Sequence, residues 1–482
     1  MEEKFITIVD IGSYRTAVCT AKVEGSNVNI AAYKEALSDG VLRGAVLNPT
    51  KAAGVIRSLI TGIEQELGIK ISKIITGIPG HKMSNESVSL RRERENPDDS
   101  IEAAELNSMT REAYSDRGNE RVYSAIPQSF IVGDAVEIMY DDAIGMYGDF
   151  IEGKYHLLTG SKAIFDGNER TFKALGLEIA GKYLYSIASS VSTLKSQEKQ
   201  NGVAMVEFGG NTTNLLIYYK NIIRYAYTLP FGGNNITNDI ANECKITEAL
   251  AESIKRDFGS AMPEKLSVNA EKSLQIKSKS QRDIEVPIKY LAEIINARCK
   301  EIFDAILYKI EESGYADLLA SGIVLTGGSA NLLCIADYIK NVSGYNVRRA
   351  MPTGKFNSRG FPRLSDYSAA STVGLLTLAL EHGTGMEEIE IIEKTDNRES
   401  NEDMPDTAGQ QGTVNVTDEP ADIPEDKPQE KNDDTDGNGG SWIKTIFGNR
   451  KKKEQEKQRE HTEKKKTGDG LLNTLFGDED EI

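Results

Sequence analysis

Two stretches of this sequence end a strand-like segment on a carboxylate and follow it with a turn of small residues. In the first, Lys4-Phe5-Ile6-Thr7-Ile8-Val9-Asp10-Ile11 reads as a buried strand, Gly12-Ser13-Tyr14-Arg15-Thr16 as a turn, and Ala17 to Val23 as the returning strand. The second lies about two hundred residues on. There Val203-Ala204-Met205-Val206-Glu207-Phe208 leads into Gly209-Gly210-Asn211-Thr212-Thr213-Asn214 and the strand Leu215 to Tyr219. The backbone N–H groups of such a turn can close around phosphate oxygens, with the carboxylate beside a hydrated Mg²⁺. One hairpin of this kind is a weak signal. Two in one chain suggest related domains that face each other across a phosphate.

Positioning these loops requires buried strands behind them and helices around them. Gly322-Ile323-Val324-Leu325-Thr326-Gly327-Gly328-Ser329-Ala330-Asn331 reads as a further buried strand with a Gly-Gly turn. A helix expected from about Leu332 to Ile339 would offer its free N–H donors and positive dipole end to an anion or a ring edge. Ile246 to Gly259 reads as a helix with a glycine stop, and Glu252 and Lys255 share one face at i, i+3. They could form a surface ion pair or contact a ribose and adenine.

Asp10-Ile-Gly-Ser, Glu207-Phe-Gly-Gly-Asn-Thr-Thr and Leu325-Thr-Gly-Gly-Ser resemble, in that order, the two phosphate motifs and the adenosine motif of the actin/Hsp70/sugar-kinase ATPase superfamily. Tyr185-Ser-Ile-Ala-Ser-Ser-Val and Asp366-Tyr-Ser-Ala-Ala-Ser-Thr-Val-Gly look like its two connecting helices. Within that superfamily the chain resembles the bacterial FtsA cell-division family. The likeness rests on Gly40-Val-Leu-Arg-Gly-Ala-Val, Thr76-Gly-Ile-Pro-Gly-His-Lys-Met-Ser, Val122-Tyr-Ser-Ala-Ile-Pro-Gln-Ser-Phe, Lys154-Tyr-His-Leu-Leu-Thr-Gly and Thr228-Leu-Pro-Phe-Gly-Gly-Asn-Asn-Ile-Thr-Asn-Asp-Ile-Ala.

The resemblance implies an α/β, actin-like two-domain ATPase fold over about residues 4–382, in which an inserted subdomain 1C takes the place of 1B. Its subdomain 1A would comprise 1–83 and 163–198, 1C 84–162, 2A 199–233 and 310–385, and 2B 234–309. ATP and Mg²⁺ are the implied cofactors. Asp10, Gly12, Ser13, Tyr14 and Arg15 would hold the β- and γ-phosphate side, with Arg15 where the family usually has Lys. Gly209, Gly210, Asn211, Thr212 and Thr213 would form the opposite loop. Glu252 and Lys255 would flank the ribose and adenine, and Gly327, Gly328 and Ser329 would close over the nucleoside. Asp10 and Glu207 would hold the metal through water, with Glu207 as the weak catalytic candidate. The second loop departs from the family pattern: Glu207 stands where Asp is usual, Asn211 where Gly is usual, and Asn214 where a second Asp is common. Attacking-water geometry tolerates little misplacement, so the expected activity is nucleotide binding with at most weak ATPase turnover.

The tail beyond these motifs is a different material. Of 482 residues, 57 are Lys or Arg and 74 Asp or Glu, a net charge of −17. Residues 386–440 alone hold 18 acidic and 4 basic residues, a composition that predicts a disordered linker. Ser441-Trp442-Ile443-Lys444-Thr445-Ile446-Phe447-Gly448 and Gly470-Leu471-Leu472-Asn473-Thr474-Leu475-Phe476-Gly477 repeat one pattern at a spacing of 29. Trp442, Ile443, Ile446 and Phe447, and likewise Leu471, Leu472, Leu475 and Phe476, fall on one face of two helical turns. Arg450-Lys451-Lys452-Lys453 follows the first copy and suits an anionic membrane interface, whereas Asp478-Glu479-Asp480-Glu481 follows the second. The first copy reads as a membrane anchor in the targeting tail 441–482, and the second as added avidity or a protein-binding motif. Both also have the form of peptide motifs for protein grooves.

The resemblance further implies polymerisation on the cytoplasmic face of the inner membrane at the division site. It implies tethering of FtsZ filaments through FtsZ's C-terminal peptide, docked within 234–309, with later divisome membrane proteins as further partners of the Z ring. Net acidity argues against nucleic acid. Cys19, Cys244, Cys299 and Cys334 form no CxxC pair, which suggests a reducing compartment, and the longest apolar run, Thr372 to Leu380, is too short to cross a bilayer. His81, His156, His382 and His461 are scattered. Pro49 and Pro79 read as turn markers, and Arg91-Arg92-Glu93-Arg94-Glu95 as a solvated loop. The alternative functions are an active ATPase or small-molecule kinase of the same superfamily, and a pilus-assembly relative that binds a peptide.

Overall fold

The strand Lys4–Ile11 is buried along its length after Lys4, and its side chains serve two different cores. Phe5, Val9 and Ile11 join one core with Ile56, Ile60 and Ile63 of the helix Pro49–Leu67. Ile6 and Ile8 join the other with Ala188 and Val373, from the helices Tyr185–Thr193 and Ala370–His382. With a side-chain period of two, Asp10 falls on the second face and looks toward that helix pair. The computed structural model describes residues 4–115, 118, 120–266, 272–276 and 284–388. The linker from 389 on, both tail motifs and His461 lie outside these residues, whereas Glu387 and Glu388, at the start of the expected disordered linker, form a short paired strand; the described residues belong to a unit spanning Met1–Ile392.

Two sheets, of six and five strands, repeat one five-strand plan. In the first, the order is Glu178–Leu184, Lys73–Ile78, Lys4–Ile11, Arg15–Glu24, Asn27–Leu37, with Glu387–Glu388 pairing off the path against Lys4–Phe5. In the second, it is Ile222–Leu229, Thr213–Tyr219, Val203–Phe208, Ile323–Thr326, Val347–Arg349. Each acid-bearing strand is central, antiparallel to the strand that follows its loop and parallel to a later one. Glu207 lies on the same face of its strand as Met205, whose sulfur receives the Thr193 hydroxyl at 3.6 Å. Phe208, on the opposite face, meets Phe303 of the helix Ile288–Glu312 edge to face at 5.3 Å.

A segment inserted between the first-sheet strands Lys73–Ile78 and Glu178–Leu184 builds a separate antiparallel sheet, ordered Ser84–Glu93, Phe150–Ser161, Glu120–Val132. Its own core includes Leu106, Met109, Phe130, Ile151 and Leu157. This segment also covers the edge of the second sheet. The Asn85 amide donates to the Ala226 carbonyl at 2.8 Å and accepts from the Ala226 N–H at 3.1 Å, acting as one residue of a neighbouring strand.

Three local expectations are corrected. Arg91 to Glu93 end the strand Ser84–Glu93. Arg94 beyond it is not solvated: its guanidinium, 6% exposed, binds Glu105 and the carbonyls of Asp99 and Gly148, because buried donors need acceptors. Pro49 opens a helix at the first-turn position where a missing N–H costs nothing, with Asn48 capping the Lys51 N–H at 3.1 Å. The helix expected at Leu332–Ile339 is interrupted. A 3₁₀ turn covers Gly328–Asn331, Cys334 adopts φ +60°, and the α-helix runs Ile335–Ser343.

The helices Tyr185–Thr193 and Ala370–His382 cross at Gly374, where a Cβ would lie 1.8 Å from the Ala188 carbonyl oxygen. Gly374→Ala should therefore separate them and cost about 1–3 kcal/mol, read as a lower midpoint in chemical denaturation. An unchanged midpoint would show that the crossing can relax freely.

Candidate functional site

The two loops close by the same contact. Gly12 N–H donates to the Arg15 carbonyl at 2.9 Å, and Gly209 N–H to the Thr212 carbonyl at 2.9 Å. A Cβ on Gly12 would stand 2.8 Å from that acceptor oxygen, and one on Gly209 3.0 Å from its own. Glycine is required at the head of each turn because the carbonyl three residues on folds back against it. The loops then face one another, since a Cβ on Gly210 would lie 3.0 Å from the Cβ of Tyr14.

Between them opens a cleft of about 550 Å³. Of the residues singled out from sequence, Asp10, Gly12, Ser13, Tyr14, Arg15, Glu207, Gly210, Glu252, Lys255, Gly327, Gly328 and Ser329 line it together. Thr212 lines a smaller cavity of about 80 Å³ that shares Asp10 and Glu207 with the cleft. Gly209, Asn211 and Thr213 are not in the wall. The Gly209 carbonyl accepts from the Gly233 N–H at 2.9 Å and the Ser329 hydroxyl at 2.9 Å, while the buried Thr213 hydroxyl donates to the Phe231 carbonyl at 2.8 Å. Both brace the loop from behind.

Each acid is held by one of the crossing helices. Asp10 Oδ2 accepts from the Ser371 and Thr372 hydroxyls at 2.7 and 2.6 Å. Glu207 Oε1 accepts from the Ser189 hydroxyl at 2.7 Å, and its Oε2 from the Asn214 amide at 2.9 Å. Burial pushes the Glu207 carboxyl up to about 7; the Asp10 charge adds to the rise, and the Asn214 and Ser189 donors oppose it. Asn214 in turn accepts from the Thr228 hydroxyl at 2.8 Å. A carboxylate at 214 would set two like charges in contact, so the amide there and the long acid at 207 suit each other.

Glu252 and Lys255 are both an ion pair and part of the cleft wall. Their charged atoms lie 2.5 Å apart, and the Thr237 hydroxyl donates to Glu252 at 2.5 Å. Lys255 also donates to the Gly233 carbonyl at 3.0 Å and to Thr237 at 2.8 Å. Burial holds the Lys255 ammonium below its usual value, against the pull of Glu252. Apolar Ile236 and Leu332 line the same cleft.

Several residues of the site carry no signal in a linear reading. Glu35, Tyr33 and Arg363 contact or flank Arg15 across up to 348 positions of sequence. Ser371 and Thr372 did leave one: hydroxyls inside an otherwise apolar helix segment. Among the described residues no group of three or more His, Cys, Asp or Glu gathers as a metal site. The oxygen donors of Asp10 and Glu207 suit a hydrated hard cation held through water.

Paired sheets, paired acid-glycine loops and a Gly-Gly-Ser turn around one cleft define an α/β protein of the actin-like class. The PilM–PilN type IV pilus biogenesis complex contains a chain of this fold, at TM-score 0.53 and 12% identity, covering 77% of this chain and 98% of that one. In sequence, residues 204–374 match the family model of the cell division protein FtsA. Curated FtsA proteins align over most of their length. That of Neisseria meningitidis serogroup B is 26% identical over 383 residues, 78% of this chain and 91% of the relative. That of Borreliella burgdorferi is 29% identical over 368 residues, 73% and 86%, and that of Bacillus subtilis 27% over 349 residues, 71% and 77%. Over these lengths the chain is similar to the FtsA family of bacterial cell-division proteins.

The Glu207 carboxyl titrates near 7 when folded, against a reference of 4.5. Between these values the folded state holds a proton that the unfolded state has released. Its contribution to stability therefore falls as pH rises from about 4.5 through about 7. Glu207→Gln keeps both hydrogen bonds, with the Ser189 hydroxyl turning to accept. It should be more stable than the parent at pH 8 by on the order of 1–3 kcal/mol, discounted for partial exposure to the cleft, and gain little at pH 5. Urea denaturation at the two pH values measures this; parallel pH profiles would contradict it.

Proposed function

We propose that this protein is an actin-like nucleotide-binding scaffold. It polymerises on the cytoplasmic face of the cell membrane at the division site and tethers FtsZ filaments there, helping to assemble the Z ring and recruit later divisome proteins. The observation that carries the reading is the pair of acid-glycine loops opposed across one cleft in a chain similar to the FtsA family.

In this reading ATP is the ligand. Its phosphates lie against Gly12 to Tyr14 and Gly210, Glu252 accepts from the ribose, and the base rests by Ile236 and Leu332. Asp10 and Glu207 would hold Mg²⁺ through water, and the ion would supply charge neutralisation to the phosphates. Glu207 is engaged by Ser189 and Asn214, and burial keeps it partly protonated near neutral pH. With both oxygens already accepting hydrogen bonds it is poorly placed to orient water, which supports weak turnover and a conformational role for the nucleotide.

The subdomain division given above belongs to the same reading. The segment 84–162 is 1C, FtsZ's C-terminal peptide docks within 234–309, and the remaining segments form 1A and 2A. No helix of the described residues is long and apolar enough to cross a membrane, and attachment is assigned to the tail at 441–482. Trp442, Ile443, Ile446 and Phe447 enter the interface beside Arg450 to Lys453. Leu471, Leu472, Leu475 and Phe476 add avidity or bind a protein.

Co-sedimentation of the full chain with anionic liposomes, with and without ATP and FtsZ, tests the proposal. Trp442→Glu should abolish most lipid binding and the sedimentation of FtsZ with it, whereas Leu472→Glu should weaken both more modestly. Lipid binding indifferent to both substitutions would overturn the anchor. A lipid-bound protein that brings down no FtsZ would overturn the tether.

A further inference from the structure

Arg15 follows the first loop and lines the cleft, yet its guanidinium is already engaged. Nη1 donates to Glu35 Oε2 at 2.5 Å and to the Tyr33 hydroxyl at 2.7 Å, and Nη2 donates to the Ser368 carbonyl at 2.9 Å. The Tyr33 hydroxyl in turn donates to the same Glu35 oxygen at 2.6 Å. The other oxygen, Oε1, receives Arg363 through Nε at 2.9 Å and Nη2 at 2.6 Å. One carboxylate thus sits between two arginines that both line the cleft. Burial alone would raise the Glu35 carboxyl, but Tyr33, Arg363 and Arg15 together hold it below the usual range.

We propose that Glu35 is a positioning residue that withholds Arg15 from the polyphosphate end of the cleft, so that the site separates nucleoside triphosphate from diphosphate by how well each competes for the guanidinium. The inference rests on the nucleotide reading above. A terminal phosphate carries close to two charges and three acceptor oxygens, against one charge on Glu35. A guanidinium can turn from a carboxylate to a phosphate with the same paired N–H geometry. When it does, Glu35 is not left as an unpaired buried charge, because Arg363 and Tyr33 stay on it. A shorter ligand that does not reach Arg15 leaves the network as it stands.

Equilibrium binding of ADP and of a non-hydrolysable ATP analogue to the full-chain protein, with Mg²⁺, tests this. Glu35→Gln should tighten the triphosphate by about five-fold or more and leave the diphosphate within about two-fold. The gain should vanish in an Arg15→Gln background. Tyr33→Phe, a milder change that keeps the fold if Glu35→Gln does not, should shift the ratio in the same direction by less. An unchanged triphosphate-to-diphosphate ratio in both variants would overturn the proposal, as would a gain that persists without Arg15. Equal weakening of both ligands would mark a merely structural carboxylate and overturn it as well. Failure of the parent protein to bind either nucleotide would instead bring down the nucleotide reading, and this inference with it.

Discussion

At Gly374 the backbone of the helix Ala370–His382 comes against the Ala188 carbonyl of its partner Tyr185–Thr193, with no room for a side chain. That contact locks together the two helices that hold the acids of the cleft, Asp10 through Ser371 and Thr372, and Glu207 through Ser189. The tyrosine that opens the second helix accepts from the Ile11 N–H at 2.7 Å, and its ring fills the space above Gly77. The helix pair is therefore the common reference for both loops. A shift at the crossing would be felt at both carboxylates, since interlocked packing does not deform smoothly.

Charge placement in the cleft follows from how little water reaches its floor. Glu207 accepts two donors and still titrates high, because burial outweighs them. The neighbouring position is an amide tied into a chain from Thr228, which avoids a second buried anion. At the rim the same economy of charge produces a carboxylate shared by two arginines, Glu35 with Arg15 and Arg363. Three of the cations that face the cleft, Arg15, Arg363 and Lys255, are already partnered before any anion enters it.

The extra three-stranded segment also has a structural duty. Asn85 and Gln128 supply hydrogen bonds to Ala226 and Ile223 on the edge strand of the second sheet, and Arg224 returns one to Gln128 at 2.7 Å. An edge strand left open is a template for unwanted pairing. Here side-chain amides close it, and the segment is thereby fastened to the second sheet as well as, through the chain, to the first.

The acid-bearing strands, the strands that return from them and the glycine turns were legible in the sequence, because burial of both strand faces and tight turns each demand particular residue types; the helices that begin at Tyr185 and Ala370 were legible only through the superfamily resemblance. So were twelve of the residues that line the cleft, and the pairing of Glu252 with Lys255. Three features were decided only by the tertiary structure. The αL conformation of Cys334 splits what periodicity reads as one helix, a backbone choice that the hydrophobic pattern does not record. Arg94 lies buried against a nearby carbonyl, that of Asp99, and a distant one, that of Gly148, although its mixed-sign neighbourhood reads as solvated. Arg15 matches a phosphate-binding position by sequence, but its state depends on Glu35, Arg363 and the Ser368 carbonyl. Sequence specifies a residue's chemistry and its local geometry; which partner satisfies a buried charge depends on what folding brings within about 3 Å of it.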